Sequence, residues 1–204
     1  MKNQGAEVTL NINKQFNKNL FVSLYGNNLL YAHNEITEKD EPAAVVGTNR
    51  AETGYPTGQN RGYIAERLFT NDDFADVAAG TLKEGIPAQT FTAKLRPGDI
   101  KYVDVNQDGK IDAFDVSPIG GPINPEIVYG FGLNMKWKDL DFGVLFQGIG
   151  RTWNVLSGNI IPASNKGTTY NIFTNYQDRW TVDNPSQDVF YPRLDYGTNA
   201  NNSQ

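Results

Sequence analysis

The chain has 204 residues, no cysteine, one histidine and a formal net charge of -5. Without thiols there is no disulfide, thiolate metal site or cysteine nucleophile, and the few, dispersed basic residues argue against a nucleic-acid partner. A content of 20 glycines and 12 % aromatics at a mean hydropathy of -0.50 points to a β-rich chain with long polar loops.

The N-terminus, "MKNQGAEVTL", lacks the apolar stretch of a signal peptide, and no run approaches the roughly 18 apolar residues of a membrane helix. Strict alternation begins at "EVTLNIN", where Val8, Leu10 and Ile12 share one face. "LFVSLYG" follows, with Leu20, Val22 and Leu24 on one side. From Glu35 to Asn124 the chain is irregular and proline-containing; within it "NDDFADVAAG" fits a short helix with Asn71 as N-cap and Gly80 as stop. About ninety residues without dominant regular structure would be odd inside a compact domain.

Alternation returns in "IVYGFGLNMKW". Ile127, Tyr129, Phe131, Leu133, Met135 and Trp137 form one apolar face; Val128, Gly130, Gly132, Asn134 and Lys136 form the other. After the short "KDL" turn, "LDFGVLFQG" aligns Leu140, Phe142, Val144 and Phe146. Period two with short turns predicts two antiparallel hairpins. Large apolar groups on one face, with glycine and polar groups on the other, suit a membrane-crossing strand of about nine to eleven residues. A β-sandwich strand fits the same alternation, so the pattern alone leaves both open.

The motif with the most specific chemistry is "DVNQDGKIDAFD". A twelve-residue calcium loop needs oxygen ligands at positions 1, 3, 5 and 12, a carbonyl at 7 and glycine at 6, because a hard cation with many oxygen ligands must be wrapped by a tightly turning chain. Asp104, Asn106, Asp108, Gly109, Lys110 (through its carbonyl), Asp112 and Asp115 fill positions 1, 3, 5, 6, 7, 9 and 12, and Ile111 supplies an apolar anchor. Asp115 stands where an EF-hand has glutamate, "DIKYV" before the loop reads as a strand, and Pro118 with two glycines blocks a following helix. A structural calcium is therefore expected over a sensor; the bland alternative is a metal-free Asx-rich turn.

The run "RPGDIKYVDVNQDGKIDAFDVSPIGGPINPEIVYGFGLNMKWKDLDFGVLFQGIG" closely resembles the C-terminal half of SusC/RagA-like TonB-dependent outer-membrane transporters. "TGYPTGQNRGYIAERLFTNDDF" and "DRWTVDNPSQDVFYPRL" resemble further segments of that family, in the family's order. The resemblance implies an all-β fold: antiparallel strands and hairpins of a large transmembrane β-barrel, about 22 strands in the whole, with long extracellular loops. This chain would be a fragment of it, not a closed barrel.

On that mapping residues 1–34 and 125–150 are barrel hairpins, with turns at Asn17-Lys18 and Lys138-Asp139 toward the periplasm. Residues 35–124 are a long extracellular loop region containing the calcium loop 104–115, and residues 151–204 an outer loop segment, C-terminally truncated. The implied function is non-enzymatic import of oligosaccharides or oligopeptides in the outer membrane of a Bacteroidetes-type bacterium. Implied partners are a SusD-like surface lipoprotein as lid, the TonB complex through parts absent here, and outer-membrane lipid; nucleic acid is not among them.

Two other classes compete. A calcium-stabilised extracellular binding module, dockerin-like or carbohydrate-binding, shares the loop, but dockerins carry two copies, each followed by a helix. A glycoside hydrolase needs two carboxylates at a cleft, and no pair stands out. Trp137 fits the aromatic girdle of a barrel, Trp153 and Trp180 the packing of loops, and all three a role in stacking sugar rings. His33 is expected to cap a strand end or face solvent, and Arg151 and Arg179 to lie on the surface.

Overall fold

A computed structural model describes residues 1–92, 94–155, 174–194 and 201–203. In chain order the strands are β1 (Lys2–Asn17), β2 (Leu20–Glu35), β3 (Gln59–Gly62), β4 (Ala65–Leu68), β5 (Phe74–Asp76), β6 (Thr81–Leu82), β7 (Ala88–Gln89), β8 (Ile100–Tyr102), β9 (Lys110–Ile111), β10 (Ser117–Pro122), β11 (Ile127–Trp137) and β12 (Leu140–Gly150). The regular helical structure among the described residues is limited to short 3-10 turns at Asn71–Asp73, Thr174–Gln177 and Asn201–Ser203. The chain divides into two compact units: Met1–Ala43 with Ala51–Asn60 and Gly120–Asn154, and Ala44–Arg50 with Arg61–Ile119 and Val155–Gln204.

The first unit is built on one four-stranded antiparallel sheet, ordered β1-β2-β11-β12. Its register carries the sequence alternation across all four strands. Ile12, Leu24, Leu133 and Val144 form one cross-strand row, and Lys14, Val22, Met135 and Phe142 the next. Phe131 stacks on its partner Phe146 at 5.2 Å between ring centroids. The adjacent rows, pointing the other way, are Asn13, Ser23, Asn134 and Gly143, then Asn11, Tyr25, Gly132 and Leu145. Tyr25 lies across Gly132, where a Cβ would overlap the phenol ring. Leu145 and Ile149 make the second face less polar than the alternation alone suggests.

No large apolar side chain of this sheet is buried among the described residues; Leu10, Phe131, Phe142 and Phe146 are each more than half exposed. A water-soluble sheet would cover such a face. The tight connections are set by local polar contacts: Asn19 N–H donates to Asn17 Oδ1 at 2.8 Å, and Lys138 takes a left-handed φ of 55° in the β11–β12 turn.

The second unit has a small conventional core, Phe69, Phe74 and Leu95 with Leu82 and Ile86 packed against it. Beside it Tyr63, Phe91 and Tyr102 form an edge-packed aromatic trio with centroids 4.7 to 5.7 Å apart. The helix expected at Asn71–Gly80 is absent. One 3-10 turn spans Asn71–Asp73, and the chain then extends as β5, pairing Phe74 with Leu82. The cause is Asp73: its Oδ2 accepts from the Thr70 N–H at 2.7 Å and from Arg67 Nη1 at 2.7 Å, so its carboxylate closes the turn and Phe74 swings into the core.

Arg67 holds the Asp73 carboxyl down at about 2, from 3.8. A carboxylate with a depressed folded pKa adds stability above its unfolded pKa, and the gain is lost as pH falls through the folded value. Asp73→Asn is therefore expected to cost about 2 kcal/mol at neutral pH. It should also flatten the stability change between about pH 4 and pH 2, read by denaturant titration at stepped pH.

Candidate functional site

The aspartate-rich loop lies in the second unit between β8 and β10, so strands flank it on both sides. This matches the reading of its flanks and disfavours the helix-following dockerin arrangement. Gln107 (φ 61°) and Gly109 (φ 86°) supply the two left-handed turns that fold it on itself. Asp104 Oδ1 accepts from the Gln107 N–H at 2.7 Å, and its Oδ2 from the Gly109 N–H at 2.8 Å. Asn106 Oδ1 accepts from Asp108 N–H, and Asp108 Oδ1 from Lys110 N–H, both at 3.1 Å.

Asp112 Oδ1 accepts from the Phe114 N–H at 2.9 Å, while Lys110 Nζ sits 3.1 Å from Asp112 Oδ2 and 3.9 Å from Asp108 Oδ2. The Phe114 hydrogen bond, with Lys110, lowers the Asp112 pKa; the hydrogen bond to Asp112 raises that of Lys110.

Asp115 behaves differently from the other carboxylates. It is fully buried, and its oxygens accept from the N–H groups of Val105 at 2.9 Å and Asp112 at 2.8 Å. Position 12 thus ties both arms of the loop together. Ile111, fully buried, anchors the loop as expected, and Asn49 Nδ2 ties its exit by donating to the carbonyls of Phe114 and Val116. Sequence reasoning had no signal for the Asn49 tether, which spans more than sixty residues of chain.

As a donor set, four carboxylates, an amide oxygen and a carbonyl suit a hard cation. An ionised carboxylate has about four acceptor sites, so those capping one or two N–H groups retain lone pairs. Among the described residues, however, no three histidine, cysteine, aspartate or glutamate side chains converge as a metal site. The carboxylates are turned onto backbone N–H groups and onto Lys110, which a cation would have to displace.

In the first unit His33 is neither a bare cap nor free in solvent. Its Nδ1 bonds the carboxylate of buried Glu126, and Arg151 Nε lies 3.0 Å from the other oxygen. Arg151 adopts φ 51° to reach it, and its guanidinium stands 5.9 Å from the Tyr31 ring centre. The cluster ties together the ends of β2, β11 and β12. Arg179 is engaged too, donating to the Tyr176 carbonyl at 2.8 Å.

The tryptophans separate by environment. Trp180 is buried on Gly98, the indole of Trp153 lies against Gly120 and Gly121, and Trp137 is half exposed at the hairpin end.

No family model matches the chain. A TonB-dependent receptor, P26, of Formosa agariphila is 35% identical over 139 residues, covering 65% of this chain and 13% of the receptor. Among solved structures, the RagAB peptide importer in its 'open-open' state superposes with a TM-score of 0.57 at 20% identity, over 96% of this chain and 19% of that one. The RagAB peptide transporter gives 0.55 at 23% identity, over 94% of this chain and 20% of that one. The chain therefore spans about an eighth of its curated relative and a fifth of its structural ones. Sequence match and strand architecture point the same way: the chain is similar to a part of a TonB-dependent receptor and shares its fold with a part of the RagAB importer.

Proposed function

We propose that this chain forms part of the barrel wall and outer loops of a TonB-dependent importer in the outer membrane of a Bacteroidetes-type bacterium. The observation that carries the reading is the continuous, exposed apolar face on β1, β2, β11 and β12, backed by a face of glycine, asparagine, serine and tyrosine. Lipid covers the first face in a barrel, and the second lines the lumen. That no helix of the described residues is long and apolar enough to cross a membrane is compatible with this, since barrels cross with strands.

On this reading the cargo is an oligopeptide or oligosaccharide, a SusD-like lipoprotein closes the outer side, and TonB supplies the drive. The peptide class is supported by the solved relatives, which are described as a peptide importer. The curated relative is a receptor and the solved ones are importers, which favours transport over catalysis. The test is fractionation of cells expressing the full-length protein that carries this sequence. The protein should enter the outer membrane and co-purify with a surface lipoprotein; recovery as a soluble protein would contradict the reading.

The loop at 104–115 is proposed to hold a structural calcium through Asp104, Asn106, Asp108, the Lys110 carbonyl, Asp112 and Asp115. Weak affinity would suffice, because extracellular calcium modules work at about 0.1 to 1 mM. Calorimetry with calcium should give a saturable heat that Asp108→Ala abolishes. Equal heats for the two proteins would leave the loop as a self-capped turn.

A further inference from the structure

One edge of β8 is closed by side chains instead of a strand. β8 pairs with β4 along its first edge. Along the second, amide side chains reproduce a ladder. The Ile100 N–H donates to Asn202 Oδ1 at 2.9 Å, and the Ile100 carbonyl accepts from Gln89 Nε2 at 2.9 Å and Asn201 Nδ2 at 2.8 Å. The Tyr102 N–H donates to Gln89 Oε1 at 2.7 Å.

The same groups hold one another. Gln89 Nε2 also donates to Asn201 Oδ1 at 2.6 Å, the Tyr102 hydroxyl donates to the Asn201 carbonyl at 2.7 Å, and Asn202 Nδ2 donates to Asp99 Oδ1 at 2.9 Å. Gln89 and Asn201 are buried, Asn201 fully.

Gln89 belongs to β7, and the parallel partner of β7 is β9, the seventh and eighth positions of the aspartate-rich loop. The Ala88 N–H donates to the Gly109 carbonyl at 3.1 Å, and Thr90 Oγ1 donates to the Ile111 carbonyl at 3.1 Å. The backbone of one two-residue strand therefore grips the loop while its buried side chain grips Asn201, 112 residues downstream.

We propose that Asn201–Ser203 is a strap latched through Gln89 to the aspartate-rich loop, so that strap and loop open and close as one unit. The reason is the cost of partial opening. Releasing the strap alone removes the Asn202 acceptor of the Ile100 N–H, the Asn201 acceptors of the Tyr102 hydroxyl and Gln89 Nε2, and one of the two donors to the Ile100 carbonyl. Moving the loop pulls β7 and takes Gln89 off β8. Anything that rearranges the loop, a bound cation included, is thereby passed to the strap. The latch itself needs no metal and stands apart from the calcium reading.

Hydrogen–deuterium exchange on the full chain, without calcium, tests it. Asn201→Ala should speed exchange about tenfold or more at Tyr102 and also at Gly109 to Asp112, which Asn201 does not touch. In reverse, Asp104→Ala should speed exchange across residues 201–203. Should Asn201→Ala fail to fold, the Asp104→Ala arm decides alone. Faster exchange confined to the mutated element in either protein would overturn the coupling, as would unchanged rates throughout.

Discussion

Gly98→Ala is expected to destabilise the second unit by about 3 kcal/mol or more, the sum of backbone strain and overpacking. Gly98 has φ 86°, and a Cβ there would overlap the six-membered ring of Trp180, which is buried. The same residue is a hub: its N–H donates to the Phe69 carbonyl at 2.8 Å, and its carbonyl accepts from the Arg193 N–H at 2.9 Å. Arg193 in turn pairs with fully buried Asp99 at 3.0 Å, so displacing Trp180 disturbs a buried charge pair that is costly to break.

Gly85 provides the control. Its φ is 84°, yet nothing lies within 4 Å of an added Cβ. Gly85→Ala should show the strain alone, and denaturant unfolding of the two variants separates the terms. Equal losses would contradict the role given to Trp180.

The second large effect concerns the sheet. Leu133→Arg, in the middle of β11, should cost about 2 to 4 kcal/mol in a bilayer, the penalty for arginine near the midplane. Leu133 shares its row with Ile12, Leu24 and Val144. Asn134→Arg, one residue on, lies in the row of Asn13, Ser23 and Gly143 and should cost far less. Unfolding of the full-length protein from lipid vesicles compares them. Similar penalties at the two positions would mean that neither face is distinguished by lipid.

How much of this was legible follows from how each feature is encoded. The hairpins were readable because period two is written residue by residue, from Val8 to Ile12 and from Ile127 to Trp137. The shift in register where Val128 and Gly130 meet β2 was not, since it depends on two strands distant in sequence. The supposed helix at Asn71 failed because a cap signal and a stop signal say nothing of where the chain between them must pack; Phe74 was needed in the core with Phe69.

The aspartate-rich loop announced its turn chemistry through Gly109 and its alternating oxygens. That Asp115 is a buried tie, and that Gln89 joins the loop to Asn201, could not be seen. An isolated glutamine or asparagine carries no pattern, and its partners are fixed only by the tertiary fold.

The central claim is that one face of the β1-β2-β11-β12 sheet meets lipid and the other does not. These 204 residues contain no cysteine, so, with any cysteine elsewhere in the full-length protein replaced by serine, single cysteines can carry a spin label at each position from Phe131 to Lys136 in vesicles. Collision rates with oxygen, which partitions into lipid, should peak at positions 131, 133 and 135, and those with a water-soluble nickel chelate at positions 132, 134 and 136. Equal access at all six positions, or the opposite phase, would contradict the account.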